Sequence, residues 1–132
     1  MISKIARVTM VAALALTLAG TTAASARPNA KPGAVVKAGS CSGASDWKLK
    51  LSPDNGRIQV EFEVDSNRAG QTWHVRIAKN GNPIFMGSRM TKAPSGSFTV
   101  RKITSNAAGT DTFRARATNR ATGETCIGIA SI

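Results

Sequence analysis

Arg57-Ile-Gln-Val-Glu-Phe-Glu-Val-Asp65 decides the fold. Ile58, Val60, Phe62 and Val64 alternate with Gln59, Glu61, Glu63 and Asp65 without a break. A period of two puts the apolar side chains on one face of an extended strand and the polar ones on the other. One buried face and one wet face are what an antiparallel sheet offers.

The same period extends in both directions. Upstream, Trp47, Leu49 and Leu51 alternate with Lys48 and Lys50, and Pro53-Asp54-Asn55-Gly56 forms the intervening turn. Downstream, Asn67 to Gly70 turns the chain, and Trp73, Val75 and Ile77 alternate with His74 and Arg76. Asn80-Gly81 signals a hairpin, because both residues tolerate positive φ. A strand follows from about Ile84 to Met90, with an ambiguous inward face. Pro94 to Gly96 breaks the chain, and Phe98 and Val100 then alternate with Thr99 and Arg101. Beyond a connection through Ile103 to Gly109, Phe113, Ala115 and Ala117 alternate with Arg114, Arg116 and Thr118. Thr122-Gly123 turns into a last strand, Thr125 to Ile132. Seven short strands with no helical segment predict an all-β, seven-stranded antiparallel sandwich over 40–132.

Two segments precede it. Met1 to Ala26 reads as a signal peptide: Lys4 and Arg7 start it, Val8 to Ala19 is apolar, and Ala24-Ser25-Ala26 offers a cleavage site before Arg27. The apolar run is about a dozen residues, short of the roughly 20 that span a bilayer. No later segment reads as transmembrane. The expected product is secreted and extracellular, free or held at the cell envelope. Arg27 to Gly39, RPNAKPGAVVKAG, reads as a disordered basic linker.

Cys41 and Cys126 are the two cysteines. Export predicts a disulfide between them. Two reactive thiols are the competing reading, and neither residue sits in a C-x-x-C motif.

Charge points to a class of partner. The 18 Lys+Arg less Lys4 and Arg7 leave 16 against seven Asp+Glu, a net of +9. Such a protein attracts phosphate-rich wall polymer, acidic polysaccharide, nucleic acid or anionic lipid headgroups. Solubility alone is the competing explanation.

Catalytic and metal chemistry finds little material. His74 is the single histidine, and it shares a strand face with Arg76. No G-x-S-x-G motif accompanies it. Glu61, Glu63 and Asp65 line one face, where Lys48 and Lys50 on the neighbouring strand explain them more simply than calcium does. Trp47 and Trp73 are in phase with core residues, which favours burial over sugar stacking. No enzyme, metal or cofactor is expected.

Asp111-Thr-Phe-Arg-Ala-Arg-Ala-Thr-Asn119, followed by Ala-Thr-Gly-Glu124, resembles the sixth strand and following turn of fibronectin type III and related immunoglobulin-like domains. Ser97-Phe-Thr-Val-Arg-Lys-Ile-Thr104 resembles their fifth strand and corner. The corner aromatic is Phe113 rather than tyrosine, and the cysteines join the domain's start to its last strand rather than the second strand to the sixth. The whole chain also resembles small exported proteins of actinobacteria. The resemblance implies a binding, adhesion or spacer module more often than an enzyme. It also implies that the first, second and fifth strands form one sheet and the other four a second.

That division concentrates charge. The first sheet sets Lys48, Lys50 and Arg101 against Glu61, Glu63 and Asp65. The second turns outward Arg76, Arg114, Arg116 and, less clearly, Arg89, with Lys79 and Arg120 near the strand ends. These six are the candidate anion-binding residues, since arginine grips phosphate or carboxylate bidentately. A merely solvated face is the alternative. No aromatic is interleaved, so sequence-specific nucleic-acid binding is not expected. The leading expectation is a non-enzymatic module that contacts an anionic extracellular polymer. The rival is a protein-interaction module or inhibitor acting through the Asn67 to Gly70 or Lys92 to Gly96 loop.

Overall fold

The structure, a computed structural model, describes residues 33–132. The segment read as a signal peptide lies outside the described residues, as do linker residues 27–32. Eight strands follow in order: β1 (Val35–Ser40), β2 (Asp46–Asp54), β3 (Arg57–Asp65), β4 (Thr72–Lys79), β5 (Asn82–Met90), β6 (Ser97–Ser105), β7 (Thr112–Asn119) and β8 (Thr125–Ser131). They form two four-stranded sheets, sheet A in the order β1-β2-β3-β6 and sheet B in the order β5-β4-β7-β8. All pairings are antiparallel. The result is an all-β two-sheet sandwich, compatible with an immunoglobulin-like arrangement. No helix among the described residues is long and apolar enough to cross a membrane.

The strand count corrects the sequence reading, which expected seven. The additional strand, β1, overlaps the end of the stretch read as linker, with Ser40 in the expected domain, and pairs with β2 from Val35 opposite Leu51 to Ser40 opposite Asp46. Backbone groups along the edge of β2 need partners, and β1 supplies them without apolar alternation of its own. Gly39 is needed there because a Cβ would stand 2.9 Å from Cζ2 of Trp47.

The core fills the space between the sheets as the alternation requires. Leu49, Leu51, Ile58, Val60, Phe62, Val64, Phe98 and Val100 come from sheet A, and Trp73, Val75, Ile77, Phe113, Ala115 and Ala117 from sheet B. Trp73 is fully buried, its ring centroid 6.3 Å from that of Phe98. Trp47 is half-buried and reaches β8, where a Cβ on Gly128 would meet its Cζ3 at 2.6 Å. The small residues Gly128, Ala115 and Ala117 leave room on one sheet for large rings from the other. Cys41, just after β1, is disulfide-bonded to Cys126 in β8 and ties the two sheets together.

The outer face of sheet A is charge-balanced. Lys48 stands opposite Glu63, Lys50 opposite Glu61, and Glu61 opposite Arg101, whose Nη2 lies 2.7 Å from Glu61 Oε1. Asp65 faces Asp46 and Ser97 instead of a lysine. Of the carboxylate row considered for calcium, Glu61 and Glu63 thus stand opposite cations and Asp65 does not.

Candidate functional site

Sheet B presents a different outer face. Its central row reads Met86, Arg76, Arg116, Ile127 across β5, β4, β7 and β8, each residue directly opposite the next. The row on one side reads Ser88, His74, Thr118, Thr125, and on the other Arg114 stands between Ala78 and Ile129. Arg120 lies just beyond the end of β7, where its backbone N–H donates to the Thr72 carbonyl at 3.1 Å. His74, Arg76, Arg116, Thr118 and Arg120 line a hollow of about 390 Å³.

No carboxylate enters this face. All seven Asp+Glu fall among the described residues. Asp46, Glu61, Glu63 and Asp65 are on sheet A, and Asp54 pairs with Arg57 at its end. Asp111 is fully buried. Glu124 accepts from the Ser45 N–H at 2.9 Å and the Ser45 hydroxyl at 2.8 Å. Arg76, Arg114, Arg116 and Arg120 therefore have no salt-bridge partner, and their guanidinium groups remain available to an outside anion.

Two of the six expected residues do not belong to the face. Lys79 follows Trp73, Val75 and Ile77 in phase and points inward, and it is only 8% exposed. Its Nζ donates to the carbonyl and hydroxyl of Ser105 and lies 3.9 Å from Asp111 Oδ2. Arg89 stands opposite the inward-facing Trp73, on the other side of the sheet from Arg76. Its guanidinium covers the Phe85 ring, 4.8 Å from the centroid. The cause is a bulge: the register of β4 with β5 shifts between Ile77 and Ala78. One extra residue sends every later side chain of β5 to the opposite face.

The same shift exposes Met86 and Met90 on the arginine face, and β8 adds Ile127 and Ile129. Sequence reasoning missed these apolar neighbours. For β8 a signal existed: once Cys126 is committed to an inward disulfide, alternation turns Ile127 and Ile129 outward.

The two loops of the rival reading meet at one end of the sandwich. Ser66 N–H donates to the Gly96 carbonyl at 3.0 Å, and Gly70 N–H to the Thr91 carbonyl at 2.7 Å. A hollow of about 430 Å³ nearby is lined by Ser45, Arg68, Gln71, Asn119 and Glu124 among others, and mixes one cation with one carboxylate. No group of three His, Cys, Asp or Glu able to hold a metal ion occurs among the described residues.

The fold and this face define a disulfide-linked two-sheet β-sandwich with one cationic sheet surface. Compared with protein-family models, curated proteins and solved structures, the chain matches none.

Proposed function

We propose that the chain is a secreted, non-enzymatic module of immunoglobulin-like, fibronectin type III-like type that contacts an anionic extracellular polymer through the outer face of sheet B. The observation that carries this reading is the Arg76–Arg116 cross-strand pair, joined by Arg120 around one hollow and unopposed by any carboxylate. Like charges directly opposite on a sheet are destabilising. A polyanion converts that repulsion into attraction and releases its counterions. The candidate set is thus Arg76, Arg114, Arg116 and Arg120, with His74 and Thr118 as hydrogen-bonding neighbours. Phosphate-bearing or acidic-glycan polymers of a cell envelope fit this chemistry. Chromatography of the protein on immobilised polyphosphate and on an acidic glycan tests it. Retention that falls steeply with salt supports the reading. No retention at low salt on either matrix overturns it.

A further inference from the structure

The arginine face has apolar rims. Of the six large hydrophobic side chains exposed among the described residues, Met86, Met90, Ile127 and Ile129 are all on it, at 61%, 54%, 41% and 56% exposure. The methionines sit on edge strand β5 and the isoleucines on edge strand β8, with Arg76, Arg114 and Arg116 between them. From Met86 to Ile127 the row spans three interstrand spacings, roughly 14 Å.

We propose that this face docks on an anionic lipid surface, the arginines meeting headgroup phosphates while Met86, Met90, Ile127 and Ile129 enter the boundary between headgroups and acyl chains. The proposal rests on the anion-binding reading above and narrows its ligand. A hydrated polyanion alone has no use for four exposed apolar side chains. A protein partner calls for the opposite layout, since interfaces between proteins are apolar at the centre, depleted of charge there, and polar at the rim. Here charge holds the centre and apolar groups the rims. A second copy docking through the same face would bring arginine rows against each other or against methionine and isoleucine, with no carboxylate to pair them. A lipid surface satisfies both components, because its phosphates lie just above its hydrocarbon. Arginine stems run along apolar surface while their heads stay in the polar layer. Shallow apolar insertion and electrostatic attraction then act as two cooperating signals.

Co-sedimentation with vesicles tests this, using a zwitterionic phospholipid alone or mixed with an anionic one. Polyphosphate chromatography runs in parallel. Three proteins are compared: wild type, a rim variant (Met86→Ser, Ile127→Thr, Ile129→Thr) and a centre variant (Arg76→Gln, Arg116→Gln). The rim residues are exposed, and threonine keeps β-branching in β8, so thermal melting should find the rim variant folded. Wild type is expected to bind only the mixed vesicles. The rim variant should lose about tenfold in vesicle affinity or more while eluting from polyphosphate like wild type. The centre variant should lose both. A folded rim variant that binds mixed vesicles like wild type overturns lipid docking, as does wild type that ignores them yet binds polyphosphate. Rim-dependent capture of an acidic protein by a chain indifferent to vesicles also overturns it. A centre variant unchanged on both supports refutes the anion-binding reading itself.

Discussion

Arg76 on β4 and Arg116 on β7 stand directly opposite each other on the outer face of sheet B, with no carboxylate on that face. The same chain handles charge differently on sheet A, where Arg101 is opposite Glu61 and ion-paired with it. The contrast matters because both faces are wet and built by the same alternation. Arg116 is exposed and Arg76 half-buried, and two like charges cost only about 1 kcal/mol even at 4 Å in water, so the fold tolerates the pair.

Lys79 should matter to stability and not to anion binding. Asp111 accepts from Asn80 Nδ2 at 2.8 Å and from the Ala107 N–H at 3.0 Å, in addition to facing Lys79. Lys79→Met leaves that buried carboxylate without its cation, at an expected cost of about 3 kcal/mol. Lys79→Met combined with Asp111→Asn should recover part of the loss. Denaturant melts measure the cost, and polyphosphate elution should stay at the wild-type salt concentration. Earlier elution by folded Lys79→Met would return this lysine to the binding face.

Gly128 makes room for Trp47. Gly128→Ala places a methyl group within 2.6 Å of the indole Cζ3, and overpacking of this kind costs about 1–3 kcal/mol. In a Trp47→Leu background the added cost should fall below about 0.5 kcal/mol. A double-mutant cycle reads the coupling. Additive effects would mean that the indole does not restrict this position.

The Cys41–Cys126 bridge closes a sequence separation of 85 residues. The chain-entropy model gives about 4–5 kcal/mol for a loop of that length. Replacing both cysteines with alanine should lower the melting temperature markedly, and reductant should do the same to wild type. A double variant that melts with the oxidised wild type would assign the bridge no stabilising role.

Much of this architecture was legible in the sequence. The unbroken alternation of β3 fixed a half-buried strand, and Trp73, Val75 and Ile77 fixed the inner face of β4. What escaped depends on pairing. Val35–Ser40 becomes a strand through the backbone of β2, and its own side chains carry no period. Lys79 was in phase with the core, yet its acid partner Asp111 is 32 positions away along the chain, so an exposed strand end was the simpler reading. Arg89 depended on a one-residue bulge that no local residue announces. Met86 and Met90 became visible on the arginine face only once that bulge was placed.

The proposed function rests on polyanion binding by the carboxylate-free arginine face of sheet B. Arg76→Gln, Arg114→Gln and Arg116→Gln in one protein test it most directly. Wild type and the triple variant would be compared by thermal melting and by elution salt on the same polyphosphate column. The expected result is an unchanged or slightly raised melting temperature, earlier elution, and a log-affinity against log-salt slope shallower by about three for three lost phosphate contacts. Equal elution by a folded triple variant would contradict it, and would make this face of sheet B a solvated surface only.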